Sequence, residues 1–151
     1  EIADYYGREG NRDVDMLNLL YVTMKALLKE QIPDRLVRTV FELKSMVING
    51  EYPRLFECVA CGRTEGLTHI SMGHSGCVCD QCVNAVKDAR PISATALYTL
   101  QYIICSPIEK LYTFTLKPEI IRETGKWMER YMERGTDRRF KSLEILKLME
   151  S

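Results

Sequence analysis

The chain has 151 residues, 46% of them hydrophobic and 28% charged, and its 21 Lys and Arg balance 21 Asp and Glu. That is enough chain for one cored domain, or for one domain carrying an insertion. Zero formal net charge excludes a strongly basic coat for nucleic acid, though not a local patch. No apolar run reaches the roughly 20 residues of a membrane-spanning helix.

Glu1 to Tyr6 reads as the tail of a helix, and a chain opening there on Glu rather than Met is expected to be a fragment. Gly7, Gly10 and Asn11 predict a polar break, followed by a helix capped by Asp13. Its expected inward face is Leu17, Leu20, Tyr21, Met24, Leu27 and Leu28. Pro33 opens a second helix, with Leu36, Val37, Val40, Phe41, Lys44, Val47 and Ile48 at the helical period and Gly50 as its stop. The short connection predicts an antiparallel pair.

The pattern then changes. Cys58 and Cys61 form one Cys-x-x-Cys pair, and Cys79 and Cys82 form another seventeen residues further on. Zinc favours four soft ligands in a tetrahedron, and each short pair supplies two thiolates to one edge of it. Gly62 and Gly76 let the backbone turn close to the sulfurs. An iron–sulfur cluster accepts the same four thiolates. Disulfides fit poorly without an export signal, and a thioredoxin-like pair lacks its βαβ setting. Cys79 keeps the two-residue spacing to Cys82, so Cys77 is read as a bystander; His69 and His74 are read as surface or turn residues. Leu67 to Met72 predicts a short strand and Asp80 to Asp88 a short helix. The segment holds few apolar residues, so metal is expected to substitute for a core of its own.

Ser93 caps the next helix, with Leu97, Leu100, Ile103 and Ile104 inward and Pro107 closing it. Pro118 opens another, whose inward face is Ile120, Ile121, Thr124, Trp127, Met128 and Tyr131. A last helix carries Leu143, Leu146 and Met149. The expected fold is therefore mainly α: a helical bundle with a small inserted four-cysteine zinc module. Residues 1–50 form a helical hairpin of the bundle, 51–92 the module, and 93–151 the helices that pack back on 1–50.

Arg122, Lys126, Arg130, Arg134 and Arg138 recur every fourth residue and would form a slowly drifting basic ridge. With Arg139 and Lys141 they give segment 122–141 a net charge of +3. Interleaved glutamates make an ordinary solvated face the plain alternative, and Trp127 is read as core. Arg35 and Arg38 flank the apolar side of the second helix.

Phe41-Glu42-Leu43 running to Gly50, Cys58-x-x-Cys61-Gly62, the Gly76-to-Cys82 knuckle, Ser93 at a helix start and Lys141-Ser142-Leu143 occur in one order. That ordered set resembles the C-terminal region of the RecO family of bacterial recombination mediators, over nearly the whole chain. The resemblance implies a helical bundle with a zinc module, preceded in family members by an OB domain with no counterpart here. It implies a non-catalytic role in DNA repair: binding single-stranded DNA, the tail of the single-stranded-DNA-binding protein SSB and the partner RecR, annealing strands and helping to load RecA. Arg35, Arg38, Phe41 and Leu43 would then form the groove for the acidic SSB tail. Arg122, Lys126, Arg130, Arg134, Arg138, Arg139 and Lys141 would face DNA. Free thiols without an export signal imply the cytoplasm, at the nucleoid.

Two other classes compete. A generic zinc-stabilised interaction module needs nothing beyond the cysteines. A zinc hydrolase needs an open ligand position and a nearby base, and neither is legible beside four thiolates.

Overall fold

The computed structural model describes residues 2–134, with side chains from 11 to 133. The expected last helix, with Arg138, Arg139 and Lys141, lies outside them, as does the side chain of Arg134. Helix α1 (Ile2–Leu27) runs straight through the expected break at residues 7–13. A glycine inside a helix costs only about 1 kcal/mol relative to alanine, which its neighbours can outweigh.

Helix α2 (Asp34–Ile48) is the central element, packing on α1, on α3 (Ala94–Cys105) and on α4 (Pro118–Arg134). Ten of its fifteen residues are buried, Phe41 and Leu43 completely. It ends with Gly50 at φ +74, Gly50 N–H donating to Val47 O and Glu51 N–H to Met46 O. This paired closure satisfies carbonyls that the helix would otherwise leave open.

Between α2 and α3 the chain builds a four-stranded mixed sheet, and this overturns the expectation of a helical bundle with a minor insert. The fold is α/β. Strands β1 (Arg54–Cys58), β2 (Leu67–Ser71), β3 (Gly76–Cys79) and β4 (Ala89–Pro91) lie in the order β1-β3-β2-β4. β1 runs parallel to β3, whereas β2 pairs antiparallel with both β3 and β4. The helix expected at 80–88 is replaced by one 3-10 turn, Val83–Ala85. β2 is the strand expected at 67–72; the other three, of three to five residues, are too short for alternation to show, so pairing rather than periodicity defines them.

The sheet has two apolar faces. Leu55, Ile70, Cys77 and Ile92 join one core with Val40, Phe41, Leu97, Leu100, Trp127 and Met128. Cys58, Val78, Cys79 and Val86 form a small separate cluster on the other side. The segment thus contributes to the main core as well as holding its own small one.

The inward face of α1 also differs from expectation. Leu19, Thr23 and Ala26 are buried, whereas Leu17, Tyr21, Met24 and Leu28 are each more than half exposed. Apolar residues surround this helix, so periodicity alone could not choose the face. Thr23 is selected by a polar partner, its Oγ1 lying 2.8 Å from the Tyr112 hydroxyl.

Candidate metal centre

The sulfur atoms of Cys58, Cys61, Cys79 and Cys82 all lie within 4.8 Å of one another. Cys58 ends β1 and Cys79 ends β3, and the parallel pairing of these strands brings the two knuckles together. Cys61 Sγ stands 3.6 Å from Cys79 Sγ. A tetrahedral zinc with bonds near 2.3 Å puts its sulfurs about 3.8 Å apart, so the donor set fits.

Each knuckle is a tight turn. Gly62 N–H donates to Cys58 O at 2.8 Å, with Gly62 at φ +78, and Cys82 N–H donates to Cys79 O at 3.0 Å. Gly76 serves a different need: a Cβ there would meet Val59 Cγ1 at 2.5 Å and the Arg54 carbonyl at 2.7 Å. Only glycine lets β1 and β3 approach so closely. Arg63 and Asp80 join the two knuckles by an ion pair of 3.0 Å.

Backbone amides turn toward the sulfurs, Ala60 N–H and Cys79 N–H each reaching Cys58 Sγ at 3.4 Å. Burial acts to raise the Cys58 thiol, but the amides of Cys79, Cys61 and Ala60 outweigh it and bring the pKa down to about 6. Such amides stabilise thiolates, the form that binds metal. Cys82 is pushed up to about 12, first by Cys79 and then by Cys61, as protons concentrate on some members of a crowded thiol cluster.

Cys77 is fully buried and belongs to the main core; burial, and secondarily Cys58, pushes its thiol up to about 12. It is not one of the four clustered sulfurs. Cys105, at the end of α3, is exposed and remote in sequence from the knuckles. His69 Nδ1 bonds Thr68, and His74 Nδ1 lies 2.9 Å from Ser71 Oγ.

The other sequence-predicted residues fall in two places. Arg35 and Arg38 line a groove of about 340 Å³ between α2 and α4, with Met128 and Gly125 on its far wall. Arg35 pairs with Glu129 at 3.5 Å and Arg38 with Glu42 at 2.9 Å. Phe41 and Leu43 do not reach this groove, because both are fully buried in the core. On α4, Arg122, Lys126 and Arg130 are exposed, and the Arg130 guanidinium sits 5.7 Å from the Trp127 ring centre. Trp127 itself is buried.

Two groupings escaped the sequence reading. Ser71 Oγ donates to Asp88 Oδ1 at 2.7 Å, and Gly73 N–H donates to Asp88 Oδ2 at 2.7 Å. Ser71 and Gly73 hold the Asp88 carboxyl below the usual range. The serine is fully buried and Asp88 binds it directly, so this is a clasp on the β2–β3 turn rather than a nucleophile relay. The second grouping is an aromatic cleft beside α3, whose only sequence signal is Tyr98 and Tyr102 one helical turn apart.

The "DNA repair protein RecO" of Acetivibrio thermocellus is 30% identical over 89% of this chain and 52% of the relative. That of Thermoanaerobacter sp. is 28% identical over 95% of this chain and 58% of its own length. That of Alkaliphilus metalliredigens is 28% identical over 97% and 61%. The chain therefore spans little more than half the length of the curated relatives it matches. No solved structure matches it. The model of the family described as "Recombination protein O C terminal" matches residues 1–144, and the chain belongs to that family.

Proposed function

We propose that the chain is the C-terminal, non-catalytic region of a recombination mediator acting in DNA repair, held in shape by one structural zinc at Cys58, Cys61, Cys79 and Cys82. The family match supports the repair role, and four clustered sulfurs support a closed metal site with no position left for substrate. In this reading the intact protein works at the nucleoid in the cytoplasm, anneals single strands, meets RecR and helps load RecA. Among the described residues no helix is long and apolar enough to cross a membrane.

The observation that carries the partner reading is the α2–α4 groove, where Arg35 and Arg38 stand beside Met128. An acidic peptide with an apolar end, such as the SSB tail, asks for cations at the rim of an apolar floor. Phe41 and Leu43 support the groove from beneath by packing α2. Single-stranded DNA would follow the exposed Arg122, Lys126 and Arg130, continuing through Arg134, Arg138, Arg139 and Lys141 in sequence. With zero net charge, that contact is weak.

A fluorescent acidic tail peptide tests the groove. Arg38→Glu should weaken its binding about ten-fold or more, the scale of a lost charge-assisted hydrogen bond, and should flatten its salt dependence. Absence of binding by zinc-loaded protein at low salt would remove the groove from the proposal.

A further inference from the structure

Helix α1 carries a second apolar stripe, on the side away from the core. Val14, Leu17, Tyr21, Met24 and Leu28 follow one another at intervals of three, four, three and four residues, and each is more than half exposed. Leu28 N–H donates to Met24 O at 3.2 Å, so the helical path continues to the last of them. The buried Leu19 and Ala26 lie on the opposite side of the helix. We propose that the outer stripe is the seam of an antiparallel homodimer, in which α1 packs against α1 of a second copy.

The spacing selects the partner. Alternating steps of three and four are the a and d pattern of a heptad, which keeps one apolar edge turned toward another helix. A contiguous exposed strip of this kind marks an interaction surface. Segment 135–151 offers no match within the chain: none of its heptad registers places more than two apolar residues at these positions, against five in α1. A second α1 supplies all five, and a two-fold axis makes the surface complementary to itself.

Charge selects the direction. Asp15 follows the first seam residue directly, and Lys25 and Lys29 directly follow the last two, so the three share one flank of the stripe; all are exposed. Antiparallel helices set Asp15 of each copy against the lysine end of the other, whereas parallel helices would set like charges together. With Arg12 and Asp13 included the first end carries a net charge of −1, and with Glu30 the second carries +1. Tyr21 falls at the middle of the seam, and Lys25 Nζ lies 4.6 Å from its ring centre, which holds that lysine beside the stripe. The strip is about 21 Å long at 1.5 Å per residue, at the small end of specific contacts, so the dimer is a reversible one in the micromolar range.

The test is sedimentation velocity of the zinc-loaded chain across micromolar concentrations, with a phosphine reductant so that the exposed Cys105 cannot cross-link copies. A reversible monomer–dimer equilibrium is expected. Leu17→Glu and Met24→Glu each act twice in a symmetric contact and should each weaken it about a hundred-fold or more, with zinc content and helical signal kept because both residues are exposed. Lys25→Glu combined with Lys29→Glu should weaken it about three- to ten-fold by setting like charges opposite one another. A monomer at every concentration, a dimer indifferent to Leu17→Glu or to the lysine reversal, or intramolecular NOEs joining Tyr21 to Leu143 or Leu146 would each overturn the proposal.

Discussion

Lys44 reaches from the middle of α2 to the end of α3, its Nζ donating to Ser106 O at 2.6 Å, with Ile104 O at 3.0 Å and Ile103 O at 3.3 Å. A buried ammonium thus closes carbonyls that a helix C-terminus leaves open, where the helix dipole also favours positive charge.

Lys44→Met should lower stability by about 1–3 kcal/mol, the cost of leaving buried acceptors unmade, measured by urea denaturation of zinc-loaded protein. Burial holds the Lys44 pKa below its ordinary 10.5. The unfolded chain therefore binds the proton more tightly, so this residue makes stability rise with pH from its lowered value up to 10.5. The methionine variant should lose that slope.

Gly76→Ala should cost about 1–3 kcal/mol or more by overpacking, because its methyl would strike the Arg54 carbonyl as well as Val59. The same change should weaken metal retention, since β1 and β3 carry Cys58 and Cys79. Competition with a chromogenic chelator, run beside the unsubstituted chain, would measure this.

Elemental analysis should find about one zinc per chain. Cys61→Ala or chelation should abolish amide protection across 58–82, given apparent binding of about 10–16 kcal/mol in zinc-finger peptides. Much helical signal should survive, because Val40, Phe41, Leu100 and Trp127 share a core. Hydrogen exchange read alongside circular dichroism separates the two outcomes.

Combining Arg122→Glu, Lys126→Glu and Arg130→Glu should reduce the salt dependence of oligonucleotide binding by about two units of slope, near 0.7 for each phosphate no longer neutralised. An unchanged slope would remove α4 from the DNA path.

What was legible in the sequence followed physical signals of different range. The cysteine pairs are local turns whose chemistry is carried by spacing, and Ser93 is a local cap, accepting from Ala96 N–H in the structure. Lys44 fell on the inward face by period, yet its carbonyl partners lie some sixty positions away and leave no mark nearby. β1 finds its partner β3 only beyond the first knuckle and β2, so neither strand shows a pattern of its own. Arg35 and Arg38 stood out as charges beside an apolar stripe. Phe41 and Leu43 belonged to the stripe itself, and a buried helix turns such residues inward.

The distribution of cysteines has a practical consequence. With zinc bound, four of the six thiols are engaged by the metal and Cys77 is sealed in the core, which leaves Cys105 as the accessible one. A maleimide dye would then attach to the native protein at one known point on α3, without mutagenesis. Stripping the metal would release a second, faster-growing population of reactive sulfurs, so stoichiometric labelling becomes a direct gauge of whether a preparation holds its metal.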